Sequence, residues 1–191
     1  MSLFEFISSM IGVLIALTIA QLLISVGRLA QHRRRVRPYL PHSLWVAAIF
    51  LLSFLHWWSL WDFRELSWNS AMFFYSLGGP LLLFFSVTLL NPEPREDGAP
   101  IDLEKHFLDV RVLFLTVVLG GLLFLTFDGP LFGTEPWFNL LRITQLSLAS
   151  AILVALAATR TMVQTLAAGF TVAILVLASA VRYLPGILPD G

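Results

Sequence analysis

Apolar runs of about twenty residues, divided by short polar clusters, follow one another along nearly the whole chain. A helix needs about 20 apolar residues to cross the hydrocarbon core of a bilayer. The pattern therefore predicts six spans, at residues 3–26, 43–63, 71–90, 107–127, 136–158 and 162–183. Most connections are short, and one has linker character: NPEPREDGAPIDLEKH, residues 91–106, rich in proline and acid. No stretch remains for a soluble domain. The expected fold is all-α: a single domain over 1–191, built as a compact polytopic bundle of about six transmembrane helices.

Composition sharpens this. Hydrophobic residues make up 58% of the chain and charged residues only 13%, against about 45–50% and about 25% in soluble domains. There is too little polar surface to wrap the apolar content in water. The absence of cysteine excludes disulfides, thiolate nucleophiles and cysteine-based metal sites. A net charge of zero gives no reason to expect a nucleic-acid partner. The opening MSLFEFISSM lacks a basic leader, and no small-residue cleavage site precedes the arginines. The first span is thus expected to be a retained helix rather than a signal peptide.

Basic residues suggest an orientation. Arg28, Arg33, Arg34, Arg35 and Arg37 lie between spans one and two. Arg95, Lys105, Arg111 and Arg160 fall on the same side when the chain is threaded through. Lysine and arginine mark the cytoplasmic face. Both termini are therefore expected outside, which in a bacterial inner membrane means the periplasm.

The segment SFLHWWSLWDFRE, residues 53–65, holds the most chemistry. Trp57, Trp58 and Trp61 are expected in an aromatic belt at headgroup level, continued by Trp68 and Trp137. Asp62, Arg64 and Glu65 would mark the water beyond it. His56 lies deeper, roughly 5 Å from the midplane at 1.5 Å per residue. An ionisable group at that depth points to function, because hydrocarbon penalises its charged form. The competing expectation is a structural imidazole bonded across the bundle, with Ser53 and Ser59 as the nearest partners on its own face.

Arg142 is the second intramembrane charge, with Gln145 one turn on. Asp62, Asp128 and Glu135 are expected at the same outer level, within reach of it, and together with Glu65 they make a candidate cluster of outer carboxylates. Gln21 is a further deep polar group in span one. Gly78-Gly79-Pro80 interrupts span three and reads as a hinge or as a plain kink. Small residues at four-residue spacing (Ser8, Gly12, Ala16, Ala20; Ser147, Ala151, Ala155; Gly169, Ala173) suggest a tight cluster of spans one, five and six. Asp102 is placed to cap the fourth helix. His42 and His106 sit beside polar loops and are expected to be solvated. Arg33, Arg34, Arg35 and Arg37 suit anionic lipid headgroups, or a docking partner.

No HExxH, GxSxG or phosphate-binding loop occurs, and the histidines lack metal-ligand spacing. No cofactor, metal or catalytic residue is expected. Three functional classes remain. The first is a small ion- or proton-transport module acting as a homo-oligomer, with His56, Arg142, Gln145 and Gln21 along the pathway. The second is a non-catalytic accessory or sensor protein. The third, an intramembrane enzyme, would use the outer carboxylates.

Overall fold

A computed structural model describes residues 3–92, 100–134 and 136–183. Helices stand at all six expected spans: α1 Leu3–Gln31, α2 Leu40–Ser59, α3 Ser70–Leu90, α4 Leu103–Phe132, α5 Leu140–Ala157 and α6 Thr161–Tyr183. A 3-10 turn over Leu60–Phe63 prolongs α2, and another covers Arg33–Arg35. Each of the six is long and apolar enough to cross a membrane.

The helix ends differ from the spans because apolar length reports hydrocarbon thickness, whereas a helix stops where its last backbone groups find partners. α1 runs on to Gln31. α4 starts at Leu103, where Asp102 Oδ1 accepts from the Lys105 N–H at 3.0 Å, the cap expected from the sequence. It ends at Gly133, whose φ of 74° is left-handed backbone that glycine adopts at little cost. α5 begins late, because Asn139 Oδ1 accepts from the Arg142 N–H at 2.9 Å. Asn69 caps α3 in the same way through the Met72 N–H.

The helices pack in a ring, α1–α3–α4–α5–α6–α2 and back to α1, with α2 also touching α3 and α4. The seam between α3 and α4 is made close by glycine. A Cβ on Gly121 would stand 3.8 Å from the Gly79 carbonyl oxygen and 3.4 Å from Leu82 Cβ. A Cβ on Gly78 would meet the Phe124 ring at 2.5 Å, and one on Gly79 would meet Leu125 Cδ2 at 2.8 Å. Small residues let two helices approach this way. The segment read as a hinge thus lies in an unbroken α3, its two glycines against α4 and Pro80 buried.

The expected cluster of spans one, five and six is corrected. α5 and α6 do pack together, but α1 packs on α3 and α2. Its buried edge is bulky, formed by Ile7, Ile11, Ile15, Thr18 and Leu22, while Ala16 and Ala20 are exposed. The isoleucines fill space beside Leu60, Phe63 and Trp68, which small residues would leave empty. Trp68 is itself part of this core and donates to the Phe63 carbonyl at 3.2 Å, so it does not belong to a belt. Trp57, Trp58, Trp61 and Trp137 do point outward.

A second, larger core runs from mid-bundle to the end that carries the arginine loop, the arginine end. Trp45, Phe107 and Phe114 are fully buried there, with Trp45 edge-on to Phe114 at 5.8 Å. At that end two short parallel strands, β1 Val36–Arg37 and β2 Ile101–Asp102, tie the arginine loop to the start of α4. An Arg37–Asp102 ion pair at 3.7 Å reinforces them.

Candidate functional site

Polar side chains gather in two places inside the bundle. The first, near the arginine end, is occupied with closing helix ends. Arg111, counted from the sequence as a marker of orientation, is buried and donates through one guanidinium nitrogen to three carbonyls at the end of α5, the last of them on the residue that follows the helix. These are Ala155 at 2.9 Å, Leu156 at 3.1 Å and Ala158. The fully buried Gln164 donates to Ala155 and Ala158 as well, at 2.6 and 2.5 Å. His42 and His106 are not solvated as expected: His42 is buried, and His106 partly so. Both place Nε2 on the Leu90 carbonyl, at 3.0 and 3.2 Å, so each ring donates to the last turn of α3. All four groups satisfy carbonyls that a helix leaves unpaired at its C-terminus.

The second is a cavity of about 490 Å³ at the opposite, tryptophan-rich end, between α2, α4, α5 and α6. Its walls are leucine and isoleucine, and its polar lining is His56, Ser59, Asp62, Asp128, Thr144 and Gln145. The floor is buried, made in part by Leu122, Leu148 and Leu175. Its rim includes Leu140, Ile143 and Leu177, each more than half exposed, so the cavity opens sideways between α5 and α6. The gap follows from the fold. Arg111 and Gln164 hold the α5–α6 turn shut at the arginine end, and the two helices leave room between their other halves.

His56 is 6% exposed, and its Nε2 makes no hydrogen bond. The serines expected as its partners are committed elsewhere. Ser53 donates to the Ile49 carbonyl, and Ser59 donates to the backbone carbonyl of His56 itself, each at 2.8 Å. The ring also borders a second, much smaller cavity with Tyr75, Ser76, Gly79 and Asp128. Arg142 is buried and donates to Gln145 Oε1 at 2.6 Å, while Gln145 Nε2 donates to the Leu125 carbonyl at 3.1 Å. That chain locks Gln145 to the cavity wall and joins α5 to α4.

The structure thus brings together His56, Asp62, Asp128 and Gln145, with Arg142 directly behind Gln145 and Gly79 beside His56. Gly78 is a packing residue of the α3–α4 seam, and Pro80 is buried within α3. Glu65 pairs with Arg64 at 3.1 Å and lines no part of the cavity. Gln21 is remote, its carbonyl accepting from Asn91 near the arginine end. Arg33, Arg34, Arg35 and Arg37 are exposed at that same end. Glu135 and Arg95 lie outside the described residues. No group of histidine and carboxylate suited to holding a metal ion occurs among the described residues. Thr144 escaped notice in the sequence, where a hydroxyl amid leucines carries no distinguishing signal, and Ser59 was noticed only as a partner for His56.

No family model matches the chain, and no curated protein or solved structure is significantly similar to it.

Proposed function

We propose that this is an integral membrane protein whose cavity takes up one apolar or amphipathic molecule sideways from the outer leaflet. In this reading it serves as a non-catalytic binding or sensing module. The observation that carries the proposal is the cavity's shape and lining: apolar walls, one polar end and a rim of exposed aliphatic side chains. Its volume lies within the range of about 300–1,000 Å³ usual for small-molecule sites. Ion or proton permeation has less support. Between the cavity floor and the buried polar groups of the arginine end, the described residues include an apolar core around Trp45, Phe107 and Phe114. A polar route would have to run between copies of a homo-oligomer.

The same proposal puts the arginine end in the cytoplasm, both termini outside, and Arg33–Arg35 against anionic lipid headgroups. The exposed 3-10 turn, carried beside the β1–β2 pair, supports that contact.

The test is occlusion. Ala178 lines the cavity, and Ala178→Phe would fill part of it. A photoactivatable dodecyl diazirine, applied to the protein in nanodiscs, should label α2, α5 and α6 peptides of the wild type. The variant should need about tenfold more probe for equal labelling. Equal labelling of both proteins at those peptides would show that the cavity is not a binding site.

A further inference from the structure

α3 releases a backbone acceptor beside His56. Pro80 has no N–H, so the Ser76 carbonyl four residues back lacks the donor that an α-helix would give it. The proline ring also crowds that carbonyl and turns it off the helix axis. Ser76 and Gly79 line the smaller cavity, of about 10 Å³, which His56 borders from α2. The imidazole and the proline site therefore border one enclosed space.

His56 supplies the independent sign that this space holds a ligand. The residue is over nine-tenths buried, and its Nε2 is shut off from solvent with no bond to any protein group. Buried polar nitrogens are nearly always paired. The large cavity opens between α5 and α6, so a nitrogen aimed into it would be reachable by solvent. Nε2 is not, which leaves the smaller cavity as the side on which it finds a partner.

The remaining polar groups decide what fits. Tyr75 donates its O–H to the Phe124 carbonyl at 3.1 Å, and Ser76 donates its own to the Met72 carbonyl at 2.9 Å. Both hydroxyl oxygens have only lone pairs left to offer. Asp128 also lines the space, its Oδ1 accepting from the Gly129 N–H at 2.7 Å. The ligand must accept from one N–H, donate to oxygens and be very small. One water needs about 10–15 Å³ and two to four polar partners. We infer that the smaller cavity binds a single structural water. It accepts from His56 Nε2–H and donates to the Ser76 carbonyl, its second hydrogen going to the hydroxyl oxygen of Tyr75 or Ser76. His56 is thus bonded across the bundle, from α2 to the proline site of α3, through this water. The site does not depend on what the large cavity binds.

Proton-detected solid-state NMR of ¹⁵N-histidine-labelled protein in lipid bilayers is the test. The chain has four histidines, and His56→Phe identifies the His56 signals by their loss. The wild type should show a His56 Nε2–H resonance with a cross-peak to a water proton. Ser76 lines the smaller cavity and not the large one, so Ser76→Val should displace the water and abolish that cross-peak. Unchanged signals from His42 and His106, both set by the Leu90 carbonyl, show that the variant is folded. Pro80→Ala returns an N–H to the Ser76 carbonyl, and the water should then exchange about fivefold faster, the equivalent of one hydrogen bond. No water cross-peak at His56 in the wild type would overturn the site. Its survival in folded Ser76→Val would overturn it too, by placing the water in the large cavity. An unchanged exchange rate in Pro80→Ala would overturn the bridge to α3. Each variant locates the water by itself, so a misfolded one leaves the other to decide.

Discussion

Arg111→Met should lower the free energy of unfolding by about 3 kcal/mol, the scale of a hydrogen bond made by a charged group. Methionine keeps most of the length and apolar contact of the arginine stem but cannot donate. Three carbonyls at the end of α5 would then depend on Gln164, which reaches only Ala155 and Ala158. Leu156 would lose its side-chain donor. The positive charge also faces the negative end of the α5 dipole, a contribution of about 0.3–1 kcal/mol that disappears with it. Denaturation in mild detergent by added dodecyl sulfate, followed by far-ultraviolet circular dichroism, measures the loss. A change below about 1 kcal/mol would mean that Gln164 alone holds the turn. Because the two side chains share carbonyls, Gln164→Leu in the Arg111→Met background should be strongly non-additive.

Trp45→Ala should cost about 3–5 kcal/mol, as truncation of a large buried aromatic does. Trp45 has no exposed surface and stands edge-on to Phe114 at an interplanar angle of 79°. Its removal would excavate the core directly beneath the cavity. A pocket of about 10 Å³ already adjoins Trp45, and it shares Leu52, Leu122, Leu148 and Leu175 with the cavity above. The same dodecyl sulfate titration reads the result. A loss under about 1 kcal/mol would show that the region around Trp45 is loosely filled. Permeation through a single chain would then regain its standing.

The six spans were legible in the sequence because hydrocarbon thickness imposes a length that apolar runs display directly. His56 and Gln145 were legible because a polar side chain amid leucines is conspicuous, and both line the cavity. The partners were not. Ser53 and Ser59 flank His56 at helical spacing, yet each bonds a carbonyl of its own helix, an option open to any helical serine. Arg111, Gln164, His42 and His106 were misjudged or overlooked for one reason: their acceptors are backbone carbonyls, which leave no mark in a sequence. The Leu90 oxygen that takes both imidazoles belongs to an ordinary leucine. Small-residue spacing succeeded at Ala151 and Ala155, which are buried, and failed on α1, where isoleucines make the contact. Spacing identifies a face that permits close approach, and only the neighbouring surface decides which face is used.

The parallel pair β1–β2 has a consequence for how the bundle is registered. It joins the chain just after α1 to the chain just before α4, Val36 to Ile101 and Arg37 to Asp102. Three helices lie on either side of residues 93–99, and the α3–α4 and α2–α6 interfaces clasp the two triplets together. The halves are therefore aligned by a clasp at the arginine end and by two long interfaces. The protein is built in the manner of two interlocking three-helix pieces, α1–α3 and α4–α6, registered against each other at the arginine end.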